Sequence, residues 1–255
     1  MKKILKLKLL RFFNLKKKPS YDYLFDRLIN DKKENSHNFF KKYFLYYLPF
    51  KLIQHRKYFA SNKMGFGEDA FHVLWYLLFN KYEIKDCLEI GVYRGQVISL
   101  WALIAKIQKK NINVTGISPF DSSGDQVSSY IRIDYYQDVI NNFQNFDLKE
   151  PILIRDISTG PQSLKCINSK SWDLIYIDGS HDYEIVKEDA ENSISNIKKN
   201  GLLVFDDSSL FFEYNVPKDS FKGHPGPSKV VNELLSDNRL KYLGGIGHNN
   251  IFEKK

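Results

Sequence analysis

Six polar side chains stand where short apolar runs end: Glu89, Ser118, Asp156, Asp178, Asp206 and Asp207. A carboxylate in such a place can accept hydrogen bonds from the hydroxyl or amino groups of a ligand. His181 follows Asp178 by three residues, and its ordinary pKa near neutrality suits general acid–base work. Gly91 and Gly95, four apart, come directly after Glu89 in Asp86-Cys87-Leu88-Glu89-Ile90-Gly91-Val92-Tyr93-Arg94-Gly95. Glycines there let backbone approach a ligand closely, so the stretch has the form of a nucleotide or nucleoside pocket. A dinucleotide fingerprint would read G-x-G-x-x-G and a phosphate loop G-x-x-x-x-G-K-[ST]; neither is present. Nor is there a Ser/His/Asp hydrolase elbow, a zinc spacing or an N/D-P-P-Y motif.

The elements that must position these groups follow from periodicity. Glu68 to Asn80 has a helical pattern, Asp86 to Ile90 reads as a buried strand, and Val97 to Ala105 returns to helix. Asn113 to Ile117 is a second strand, Asp134 to Phe143 a helix, and Pro151 to Arg155 a third strand. Trp172 to Ile177 is a fourth strand, followed by a helix expected to run to Lys199 and to stop at Asn200-Gly201. Leu202 to Phe205 is a fifth strand, a helix is expected over Pro227 to Leu235, and Leu240 to Phe252 reads as a closing hairpin. Strands alternating with helices predict a parallel sheet with ligands at the carboxyl ends of its strands. At that edge Asp156 and Asp207 could also serve only to cap turns, and Asp206 only to bond backbone amides.

The 255 residues suffice for one α/β domain with an appendage. The net charge of +8 is regional. Residues 1–66 hold 17 lysines and arginines against four acids, whereas 67–255 hold 21 against 26. A basic, aromatic-rich helical extension over 1–66 and a mildly acidic domain over 67–255 are therefore expected, with Ser61 to Gly67 as the linker. An acidic catalytic part argues against nucleic acid as partner. Met1 to Pro19, with eight cations and no acid among its leucines and phenylalanines, is either a mobile basic tail or a peripheral contact to an anionic membrane surface or partner. Its cations break any signal-peptide core, and no apolar run reaches spanning length. Tyr21 to Phe59 reads as short helices interrupted at Pro49, forming a cap or a homo-oligomer surface. Cys87 and Cys166 lack a C-x-x-C arrangement and read as free thiols of a cytoplasmic protein. His37, His55 and His72 read as structural, and His224 and His248 as lesser site candidates on loops.

Three motifs in order, E-x-G-x-x-x-G at Glu89, I-D-G-S-H-D-Y at Ile177 and G-L-L-V-F-D-D at Gly201, resemble the class I S-adenosylmethionine-dependent methyltransferases. The likeness is to the macrocin-type sugar O-methyltransferases and, more distantly, to the catechol-type metal-dependent enzymes, and covers about residues 68–252. It implies a Rossmann-like α/β fold whose mostly parallel seven-stranded sheet ends in an antiparallel hairpin. It implies a donor site around Glu89, Gly91, Tyr93 and Gly95, completed by Asp178 and by Asp156 or Ser158 near the adenine. Many relatives hold the ribose with an acid at the end of the second strand; here Ser118 stands there, with Asp121 the nearest acid. Asp178, Asp206 and Asp207 match the relatives' ligands for a divalent cation, and an all-oxygen set favours Mg²⁺. The implied activity is O-methylation of a polar small molecule, a sugar or glycan intermediate, or an oxyanion on one. His181 is the candidate base, although Asp178 or cation activation alone could suffice. The competing reading is a methyltransferase-fold binding protein docking through its basic N-terminus to a membrane, RNA or a partner.

Overall fold

The computed structural model describes residues 18–121, 134–218 and 220–255. The basic stretch up to Lys17 lies outside them, so the expected membrane or partner contact of Met1 to Pro19 falls almost wholly there. In chain order the described elements are α1 (Tyr21–Asn30), α2 (Lys33–Tyr46), α3 (Phe50–Ser61), α4 (Asp69–Lys81), β1 (Asp86–Ile90), α5 (Gln96–Gln108), β2 (Asn113–Ser118), α6 (Tyr135–Asn145) and β3 (Ile152–Arg155). There follow α7 (Pro161–Ile167), β4 (Trp172–Ile177), α8 (Tyr183–Asn196), β5 (Ile197–Phe205), α9 (Pro225–Leu234), β6 (Leu240–Ile246) and β7 (Asn249–Lys254). The seven strands form one sheet in the order β3-β2-β1-β4-β5-β7-β6. The pairings from β3 through to β5 are parallel, and β7 and β6 complete the edge as an antiparallel hairpin. Among the described residues no helix is long and apolar enough to cross a membrane.

Helices cover both faces, so the strands read as unbroken apolar runs. Successive side chains divide between the two cores as the pleat requires. Cys87, Leu174, Tyr176, Leu202 and Val204 join the layer of α1 to α6, while Leu88, Ile175, Ile177, Leu203 and Phe205 join that of α7 to α9. Leu24, Leu28, Phe40, Leu52 and Ile53 of α1 to α3 lie in the same core as Trp75 of α4 and Trp101 of α5. The Trp75 ring meets those of Trp101 and Tyr176 at 5.1 and 4.9 Å. The buried Lys33 ammonium of α2 donates to the Asn250 side chain at 2.7 Å and to the Asn249 carbonyl at 3.3 Å, joining the N-terminal helices to β7.

Two helix boundaries differ from expectation. Helix α8 ends at Asn196, because Ile197 already pairs with Trp172; the strand then shifts register and turns at Asn200, whose φ is +61°. Helix α9 begins at Pro225, with His224 as its N-cap. The short α7 escapes the sequence pattern because its seven residues follow a Gly160-Pro161 turn signal.

Candidate active site

The strand order reverses between β1 and β4, and a crevice opens there at the carboxyl ends of the strands, where such folds bind ligands. The cavity holds about 610 Å³, within the range of a small-molecule site. Gly91 forms its floor with φ +106°, and a Cβ there would lie 2.0 Å from the Asp178 carbonyl oxygen. Only glycine lets β1 turn this tightly against the end of β4.

Glu89 projects into one half of the cavity, buried to 3% exposure. Burial, with some help from the Asp206 charge, pushes its carboxyl up to about 8 despite a hydrogen bond from the Ile98 amide. Its Oε2 is buried without a protein partner. A ligand hydroxyl or amine would satisfy that atom, so the residue fits the ribose or amino group of a nucleoside-type donor. Tyr93 lies beside it, its ring stacked on Phe66 at 5.5 Å and edge-on to Tyr135 at 4.8 Å. Gly95, at φ +80°, caps α5 below this half, behind the wall rather than on it. Ser118, Asp121 and Ser158 line the same half, and the Ser118 hydroxyl accepts the Phe120 amide at 3.0 Å.

Asp156 is a correction. Its carboxylate accepts the amides of Ile157 and Gln162, both at 3.0 Å, and so caps the turn into α7. The unpaired amides at a helix start compete for it, and Ile157, Ser158 and Thr159 take the cavity wall instead.

The other half gathers Asp178, Asp206 and Asp207 with three histidines. Burial and the facing carboxylates of Asp206, Glu89 and Asp207 push Asp178 well above the usual carboxylate range, and it hydrogen-bonds to Asp206. Asp206 Oδ1 accepts from His248 Nδ1 at 2.8 Å and from Asn249 Nδ2 at 2.7 Å. Asp207 has φ +47°, which swings its side chain toward imidazoles. His181 Nε2 lies 3.1 Å and His224 Nε2 3.8 Å from Asp207 Oδ2, while His248 Nδ1 lies 3.0 Å from Oδ1. Burial alone would raise the Asp207 pKa, but hydrogen bonds from His181 and His248 and their charges hold it well below the usual range. Burial would likewise depress His248, yet Asp206 and Asp207 raise it to about 10, so it is an imidazolium at neutral pH.

Acidic and imidazole groups of this half could hold a cation. Among the described residues, two groups bring ligand atoms within 4.8 Å of one another: His181 with Asp207 and His224, and Asp206 with Asp207 and His248. Asp178 belongs to neither group and hydrogen-bonds to Asp206, while Asp207 faces the histidines.

Sequence reasoning underweighted His224 and His248 and missed Glu68, Phe66 and Phe221, all on the cavity wall. The stretch read as a linker forms part of that wall through Met64, Gly65, Phe66 and Gly67. Glu68 receives His37 Nε2 at 2.5 Å and lies 3.8 Å from His248 Nε2. His55 contacts His72 at 3.2 Å and the Ser99 hydroxyl at 2.9 Å, and His72 also lines the cavity.

Residues 88–208 match the family model of a methyltransferase domain. An uncharacterized protein of Acanthamoeba polyphaga mimivirus is 24% identical over 192 residues, covering 72% of this chain and 75% of that protein. Among solved structures, a Podospora anserina methyltransferase bound to S-adenosylhomocysteine superposes with a TM-score of 0.60 at 14% identity, covering 89% of this chain and 98% of that one. A Bacillus cereus O-methyltransferase in complex with the same product gives 0.59 at 13% identity, over 88% and 100% of the two chains. TomG of Streptomyces achromogenes, an O-methyltransferase of tomaymycin synthesis in complex with S-adenosylmethionine, gives 0.57 at 11%, over 88% and 99%. The chain has the fold of these methyltransferases, and its residues 88–208 carry the match to a methyltransferase domain.

Proposed function

We propose that the protein transfers a methyl group to a hydroxyl of a polar small molecule, a sugar or glycan-linked intermediate. The observation that carries this reading is one cavity with two unlike halves. A buried Glu89, its Oε2 without a protein partner, lies beside the Gly91 turn and faces a histidine–aspartate pair at the ends of β4 and β5. Bound S-adenosylmethionine supplies a methyl already activated by its sulfonium. The chain's own residues then have to hold the acceptor in line and remove its proton. His181 is the base: Asp207 holds its Nε2 side at 3.1 Å and would stabilise the imidazolium formed when the proton arrives. His248, charged and buried, keeps Asp207 ionised for that task. Phe66 and Phe221, 71% and 43% exposed, form an apolar rim on which the face of a sugar ring can rest.

The test is methyl transfer from labelled S-adenosylmethionine to a panel of nucleotide sugars and glycans, with donor affinity measured by calorimetry. His181→Ala is expected to lower kcat by about 10²–10⁴-fold with donor affinity unchanged. Donor binding without transfer to any hydroxyl in the panel, or full turnover by the variant, would overturn the proposal.

A further inference from the structure

We infer that His181, Asp207 and His224 form a binding site for a borderline divalent cation of the Zn²⁺, Co²⁺ or Mn²⁺ type. The inference starts from the spacing of these three side chains and goes beyond the methyl-transfer reading, because it concerns binding that requires no donor.

The three ligand atoms face one another across a small gap. Both Nε2 atoms approach the same oxygen, Asp207 Oδ2, at 3.1 and 3.8 Å, and all three atoms lie within 4.8 Å of one another. Around a tetrahedral ion with bonds of about 2.0–2.1 Å, ligand atoms stand roughly 3.3 Å apart. Closure on an ion therefore needs side-chain movements on the order of an ångström. The two imidazoles already stack nearly parallel, with centroids 3.9 Å apart and planes 20° apart.

The backbone holds the set together. The His224 amide donates to the Asp207 carbonyl at 2.7 Å. Gly223 lies so close to Asp207, and Gly226 so close to the His181 carbonyl, that a Cβ at either would approach to 2.1 Å. Three segments distant in sequence, the β4–α8 turn, the end of β5 and the start of α9, thus meet at fixed spacing. The remaining Asp207 oxygen, Oδ1, is held by His248 Nδ1 at 3.0 Å, which leaves Oδ2 aimed at the two imidazoles. A hydrogen-bonded outer partner of this kind orients a ligand carboxylate. All three residues line the cavity, so the ion keeps an open position toward the acceptor half.

The donor set decides the ion. Two imidazole nitrogens and one carboxylate suit borderline metals, whereas Mg²⁺ demands oxygen and keeps its water. With an ion seated His181 is a ligand, and without it His181 can serve as the base, so the two uses are alternative states of one cluster.

The experiment is calorimetric titration of the tag-free full chain with Zn²⁺, Co²⁺, Mn²⁺ and Mg²⁺ separately, with the visible spectrum of the Co²⁺ form as a coordination signature. One Zn²⁺ or Co²⁺ per chain is expected, bound at least about 100-fold more tightly than Mg²⁺. His224→Gln and His181→Gln should each weaken it by on the order of 100-fold and shift the Co²⁺ spectrum, while Asp178→Asn leaves both unchanged. Circular dichroism checks that each variant is folded. The inference fails if no ion binds, if Mg²⁺ competes equally, or if Asp178→Asn abolishes binding while His224→Gln does not. Metal binding that persists in a chain with no affinity for S-adenosylmethionine would sink the methyltransferase reading and leave this one standing.

Discussion

Glu89 sets function against stability in a way that can be measured. Its carboxyl, ordinarily near 4.5, is raised to about 8 by burial. Below pH about 4.5 the folded and unfolded chains both hold the proton, and the group contributes no difference. As pH rises the unfolded chain ionises first while the folded chain retains its proton until about 8, so stability falls across that window. The full shift corresponds to a loss of about 1 kcal/mol at pH 5 and about 4 kcal/mol at pH 8. Relaxation and water entry halve such figures, leaving about 2 kcal/mol at pH 8. Glu89→Gln removes the ionisation, and its amide oxygen can still accept from the Ile98 amide. We therefore expect the variant to melt about 4–8 °C above the parent at pH 8 without ligand, with the gap narrowing to about 1–2 °C at pH 5. The same variant should bind S-adenosylmethionine more weakly and show a smaller ligand-induced rise in Tm. Differential scanning calorimetry at the two pH values reads all of this. A variant less stable than the parent at pH 8, or one whose advantage does not shrink toward pH 5, would refute the burial argument.

Gly91→Ala places a Cβ 2.0 Å from the Asp178 carbonyl at φ +106°; thermal unfolding should show a loss above about 3 kcal/mol, or roughly 6–12 °C in Tm. Asp156→Ala removes the acceptor for the Ile157 and Gln162 amides. It should cost about 1 kcal/mol in urea unfolding and leave donor affinity by calorimetry untouched. Lys33, lowered by burial from 10.5 to about 7, is neutral above that pH in the fold while the unfolded chain still binds its proton. Parent stability should therefore rise between pH 7 and 9.5 in urea titrations, and Lys33→Met should lose that rise.

The parts of the site carried by β1, β4 and β5 are legible because a strand buried on both faces leaves an uninterrupted apolar run. The first residue beyond it that can face a ligand is polar. Leu202 to Phe205 followed by Asp206 and Asp207 displays that logic, as does Leu174 to Ile177 followed by Asp178. The closing hairpin is equally readable, since its β-formers flank a Gly-rich turn. Asp156 shows where the logic stops: it occupies the same kind of position, but the start of α7 lies close enough to claim its oxygens. Position at a strand end specifies reach, and competition among nearby amides decides the partner.

The acceptor half is illegible for a different reason. Its chemistry comes from side chains whose neighbours in space are remote in sequence. His248 contacts Asp206 across 42 residues, and Glu68 arrives from the N-cap of α4, more than 100 residues from Asp206 in sequence. Charge, too, depends on assembly. Glu89, Asp178, Asp206 and Asp207 could not all ionise within one cavity without severe repulsion. The fold answers this by raising the Asp178 carboxyl well above the usual range and the Glu89 carboxyl to about 8, and by setting a charged His248 beside Asp206 and Asp207. The acids at the strand ends thereby divide into two with raised pKa values and two that hydrogen-bond to histidines. On the methyl-transfer proposal that division would separate donor binding from proton removal, and it exists only once the hairpin carrying His248 has closed beside β5.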